Sequence, residues 1–137
     1  MASRNYVYFQ PNKKDLKDKY GDCQIRALCK VLDLSWLEVY DLMVSACRKE
    51  QIYTIFSCPV DVRNRVMDSF GFKYIGISNK KGSKRPTVKQ FAKQHPVGRY
   101  ICKVANHVVA CVDGKFYDTW DSGECCLYGY YEKTSEF

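Results

Sequence analysis

HVVACVDGKFYDTW, residues 107–120, decides the fold. Two runs rich in β-branched and aromatic residues flank Asp113-Gly114. That dipeptide is the strongest short-range signal for a two-residue β-hairpin, because the favoured turn needs positive φ at both central residues. With those two residues as the loop, Val112 pairs with Lys115, Val109 faces Asp118 and His107 faces Trp120. Opposed residues share a face, so His107, Val109, Cys111, Phe116, Asp118 and Trp120 project to one side of the sheet. His107 and Asp118 are then diagonal neighbours, about 7 to 8 Å apart at the backbone, within reach of a carboxylate–imidazole hydrogen bond. Asp121 faces the other way or leaves the strand.

Working outward, RYICKVA (99–105), FKYIGI (72–77) and CCLYGYY (125–131) read as further strands, and YVYF (6–9) as an arm or short strand. The first half of the chain has helical periodicity instead. One helix opens at Asp22 or Cys23, with Asp22 as its N-cap, and runs to about Leu32, placing Ile25, Leu28, Cys29 and Leu32 on one face. Ser35 and Glu38 have the spacing of a capping box before Trp36, Val39, Tyr40, Met43 and Cys47. A third helix starts near Ser57, carries Val62, Val66 and Phe70 inward and stops at Gly71; Thr87 and Gln90 open a short fourth one that breaks at His95-Pro96. Helices followed by strands predict an α+β fold, N-terminal helices packed on a C-terminal antiparallel β-sheet, in a single domain over residues 1–137.

The composition fits a globular chain: 46% of the 137 residues are hydrophobic and 27% charged. No run of about 20 apolar residues is present to cross a membrane, and the polar, basic N-terminus lacks the apolar stretch of a secretory signal. The eight cysteines lie mostly within apolar runs (Cys29, Cys47, Cys102, Cys111), as small buried hydrophobes in a reducing, cytoplasmic setting do. Without a C-x-x-C, a metal site is not expected, and no cofactor motif occurs. The net charge of +7 is concentrated at Lys80, Lys81, Lys84 and Arg85, a run that reads first as a solvated loop and second as a contact for nucleic acid.

A His-Asp pair on one face of a sheet calls for a nucleophile, and YGDCQIRALCKVLDL (20–34) offers Cys23 where a turn gives way to a helix. Unpaired N–H groups and the helix dipole stabilise a thiolate there. His107 would pair with that thiolate and later protonate a leaving group, Asp118 would orient His107, and the Cys23 N–H would face a developing oxyanion. An amide at position 118 is expected to keep part of the activity, since its oxygen still accepts the imidazole proton.

Through GDCQIRAL, NHVVACVDGKFYDTWD and the order of helices and strands, residues 20 to 130 resemble the papain-like cysteine peptidases. The likeness is strongest to compact bacterial and phage members related to the peptidases that trim bacteriocin leaders. The resemblance implies a Cys23-His107-Asp118 triad cleaving a peptide or isopeptide bond in a peptide or protein substrate, in the cytoplasm, or in the host cytoplasm if the source is viral. Members of that superfamily commonly carry a Gln shortly before the nucleophile as second oxyanion donor. Here Lys17 stands six residues before Cys23. Gln10, Asn12 and Gln24 are the remaining candidates for that donor. Trp120 and Val109, with Tyr117, are the candidate substrate face. Acyl transfer would use the same groups, and the competing reading is a peptidase-like binding module that has lost turnover, for nucleic acid through the basic run.

Overall fold

In the computed structural model, which describes residues 3–13, 21–55, 58–78 and 84–134, the Asp113-Gly114 loop is the tight turn its chemistry predicts. Both residues take positive φ, 50° and 83°, and Asp113 Oδ1 accepts the Gly98 N–H at 2.9 Å. The register follows: Val112 opposes Lys115, Cys111 opposes Phe116 and Ala110 opposes Tyr117. A second tight connection, Ala105-Asn106, joins the preceding strand, with Asn106 in the left-handed region (φ 54°) that Asn tolerates. That turn makes His107 the first residue of its strand.

The described elements run β1 (Tyr6–Tyr8), α1 (Cys23–Leu32), α2 (Trp36–Lys49), α3 (Val60–Ser69), β2 (Phe72–Gly76), α4 (Val88–Gln94), β3 (Arg99–Val104), β4 (His107–Val112), β5 (Lys115–Asp118) and β6 (Gly129–Lys133). Together they are a mixed α+β fold: four helices and one six-stranded sheet of order β1-β5-β4-β3-β6-β2. Both expected capping boxes are present, Ser35 with Glu38 on α2 and Thr87 with Gln90 on α4. The expected third-helix start at Ser57 lies outside the described residues. The helix itself begins after Pro59, buries Val66, Met67 and Phe70, and ends at Gly71, whose φ of 85° reverses the chain.

Alternation along the central strand β4 divides the interior in two. Val108, Ala110 and Val112 pack with Leu28, Val31, Val39, Met43 and Met67 from α1, α2 and α3. Val109 and Cys111 pack on the other face with Phe116, Cys102, Leu127 and the α4 residues Val88, Phe91 and Ala92. Phe116 is wholly buried there, a burial worth about 1.5–3 kcal/mol.

Three expectations are corrected by this arrangement. The sheet is not wholly antiparallel, because β1 pairs parallel with β5, Tyr8 opposite Asp118. The last strand begins at Gly129 rather than Cys125, since residues 125–128 cross over to reach a slot between β3 and β2. A Cβ at Gly129 would strike the Tyr74 ring and the Ile75 carbonyl, which is why that slot opens on glycine. Third, Val109 is 1% exposed and belongs to the core under α4, so it is no part of a substrate face. The continuous apolar run of β4 marks a strand covered on both faces, not one face left open.

Candidate active site

The start of β4, the end of β5 and the entrance of α1 meet at one end of the sheet. Cys23 is the first residue of α1. Asp22 stands at the N-cap position but makes no side-chain cap bond, contrary to expectation. Its carboxylate is drawn away to the Arg26 guanidinium and to Trp36 Nε1, which donates to it at 3.0 Å. Asp22 therefore leaves the first-turn amides uncapped, and they keep their capacity to bind an anion.

His107 Nε2 donates to Asp118 Oδ2 across 2.6 Å, a charge-assisted bond. Nδ1 is thereby left for the Cys23 side, and the thiol and the ring line the same cleft and influence each other's titration. Asp118 is 3% exposed, and its carboxylate is well provided for: Ser122 Oγ donates to Oδ2 at 2.8 Å, the Thr119 N–H to Oδ1 at 2.8 Å, and Arg26 Nη2 lies 3.7 Å from Oδ1. Arg26, itself buried, thus stands between Asp22 and Asp118. The Asp118 backbone is pinned as well, its carbonyl accepting the Phe9 N–H at 2.9 Å and the Tyr6 hydroxyl at 3.1 Å from β1 and its extension.

Electrostatics separate the thiols. Burial alone would raise the Cys23 thiol, but the hydrogen bond and charge of His107, the Val108 N–H and the Arg26 charge outweigh it and hold Cys23 below its ordinary value. Burial likewise opposes the imidazolium of His107; hydrogen bonds to Asp118 and Cys23, with their charges, overcome it and push His107 up from 6.5 to about 9. Both shifts favour the thiolate–imidazolium pair over the neutral pair. Cys29, one and a half turns further along α1, is pushed by burial up to about 12, and burial also raises Cys47, Cys102 and Cys125. All eight cysteines are free.

Cys23 and His107 open into a cleft of about 270 Å³ lined also by Gln24, Arg63, Lys103, Asn106 and Val108. Trp120, 46% exposed, sets its ring 5.2 Å from the His107 ring although β5 ends at Asp118 and position 120 is no longer strand. Among the candidate oxyanion donors, Gln24 is 4% exposed and its side-chain Nε2 donates inward to Met67 Sδ at 2.8 Å. Gln10 accepts the Asn12 N–H at 3.0 Å, and neither residue lines the cleft. Asp121 is occupied elsewhere, accepting the Ser3 N–H at 2.6 Å and the Gly123 N–H at 3.0 Å. His95 stacks on Phe91 at 3.9 Å and bonds its carbonyl, a packing role.

Sequence reasoning missed Arg26, Ser122, Arg63, Lys103 and Asn106. Asn106, next to His107 in a turn, was within its reach; the others carry no local signal. Among the described residues no cluster of metal-ligating side chains and no helix long and apolar enough to cross a membrane occurs. Of the basic run, Lys80 and Lys81 lie outside the described residues, Lys84 is exposed, and Arg85 lies 4.9 Å over the Tyr128 ring. No family model, curated protein or solved structure matches the chain.

Proposed function

We propose that this chain is a papain-like cysteine peptidase that hydrolyses a peptide or isopeptide bond in the cytoplasm. The observation that carries the proposal is the buried Asp118 carboxylate 2.6 Å from His107 Nε2, with Cys23 and His107 lining one cleft. The Cys23 thiolate attacks the carbonyl carbon, and the oxygen becomes an anion toward the uncapped first-turn amides of α1. His107 gives its proton to the departing amine as the C–N bond breaks, leaving a thioester on Cys23. Water then attacks the thioester, His107 takes the proton, and the acid is released with the thiolate restored. An amine in place of water would make the same intermediate an acyl transferase. Asp118 keeps His107 in the tautomer that presents Nδ1 to sulfur.

One observation favours the second reading, a binding module with little turnover. The Gln24 amide is committed to Met67, so a second oxyanion donor must come from another group. Nucleic acid would then be held at Lys84 and Arg85 beside Tyr128.

Substoichiometric iodoacetamide with peptide mapping, together with turnover of a fluorogenic peptide library, tests the first reading. Cys23 should be labelled first, and Cys23→Ala should abolish hydrolysis while the thermal midpoint stays within a few degrees. Labelling of Cys23 no faster than exposed Cys126, or hydrolysis surviving in Cys23→Ala, removes Cys23 from the chemistry.

A further inference from the structure

The cleft beside Cys23 carries two cations that the triad does not use. Arg63 comes from α3 and Lys103 from β3, on the side of the sheet that faces α1. Lys103 Nζ donates at 2.8 Å only to the neighbouring Val104 carbonyl among the described residues, and none of their carboxylates lies within ion-pairing distance of either cation. Burial, then the Arg63 charge, holds the Lys103 ammonium below its ordinary value against the opposing pull of the Cys23 sulfur, so Lys103 stands beside Arg63 at a cost. An anion between them would relieve that repulsion. The local balance agrees: two cations without a carboxylate partner among the described residues, beside a thiolate–imidazolium pair, leave the cleft net positive, and Asp118 sits behind the site with Arg26 opposite it. Like charges held together at a concave wall focus field on whatever enters.

We infer that Arg63 and Lys103 form a carboxylate-binding subsite next to the Cys23 sulfur, and that the bond cleaved adjoins an acidic residue or a free chain terminus. The inference rests on the peptidase reading for its word "cleaved", but the subsite stands on the cleft alone. Both sources present the same group to the cations, a planar carboxylate suited to the guanidinium fork of Arg63.

The test compares alkylation of Cys23 by iodoacetate and by iodoacetamide, followed by peptide mass spectrometry. The ratio of the two rates cancels the thiolate fraction and reports the field in the cleft, with exposed Cys126 as internal reference. The ratio at Cys23 should exceed that at Cys126 by about tenfold and drop to the Cys126 level in the Arg63→Gln, Lys103→Gln double variant. Should the double variant not fold, each single substitution should lower the ratio on the order of threefold. A ratio at Cys23 equal to that at Cys126, or one unmoved by the substitutions, overturns the subsite. Peptidyl chloromethyl ketones ending in Glu or Gln, and iodoacetyl-glycine as acid or amide, then separate the sources. A Glu preference assigns the side chain, and an acid preference in the glycine pair assigns the terminus. A carboxylate preference at Cys23 with no peptide hydrolysed sinks the peptidase reading and keeps the subsite. Hydrolysis without such a preference does the reverse.

Discussion

Replacing Asp118 with Asn removes one charge and almost no volume, and the surroundings of the carboxylate dictate how the new amide must sit. Oδ1 accepts the Thr119 N–H at 2.8 Å and faces the Arg26 guanidinium at 3.7 Å, both donors only. An amide NH₂ placed there would meet two donors, so the Asn oxygen must take the Oδ1 position. The NH₂ then points at His107 Nε2 and at Ser122 Oγ, where the carboxylate had accepted at 2.6 and 2.8 Å. The hydroxyl can turn and accept; the imidazole has to give up its Nε2 proton and present Nδ1–H to Cys23. That is the wrong tautomer for a base, and the expectation that an amide keeps part of the activity is reversed. The energy at stake comes from His107, which stands at about 9 against an ordinary 6.5. At about 1.4 kcal/mol per unit, its environment favours the imidazolium by about 3 kcal/mol, most of which Asn forfeits. Carboxamidomethylation of Cys23 at pH 6.5 should therefore slow about 10- to 100-fold, and turnover should fall on the order of 10²–10⁴-fold. NMR titration of the His107 ring protons checks the cause directly. A ring that still titrates near 9 in Asp118→Asn, or alkylation within twofold of wild type, refutes the reasoning.

Because the folded pKa of His107 is raised, its stabilising contribution is complete below about pH 6.5 and is lost as pH rises through about 9. The gap in thermal midpoint between wild type and His107→Gln should accordingly narrow from pH 6 to pH 10, and a constant or widening gap contradicts the assignment. Arg26→Met strands the Asp22 and Asp118 carboxylates without their shared cation and should cost about 3–5 kcal/mol by urea unfolding; a loss below about 1 kcal/mol means the ion pairs are idle. Gly129→Ala forces Tyr74 and the β2 backbone apart at the β6 slot and should cost about 1–3 kcal/mol, with an unchanged urea midpoint counting against that packing.

The features legible in the sequence are those that act over a few residues. Asp113-Gly114 sets its own φ values, so the β4–β5 register and the meeting of His107 with Asp118 could be read in advance. The two capping boxes, each closed within one turn, and the helix entrance at Cys23 were readable for the same reason. Even so, local reading misjudged Asp22, whose carboxylate found stronger partners in Arg26 and Trp36 than the amides it was expected to cap.

Tertiary structure alone decided where distant segments meet. The parallel docking of β1 on β5, the insertion of β6 between β3 and β2, and the covering of Val109 by α4 depend on which surfaces fit after loops of many residues have closed. Arg63 and Lys103, on α3 and β3, reach the Cys23 cleft by the same route, and no spacing in the chain announces them. Turn and cap energies are properties of neighbouring residues and survive in any fold that contains them. The partners of a buried strand or charge are selected by shape and desolvation across the whole domain, so they exist only once it has packed.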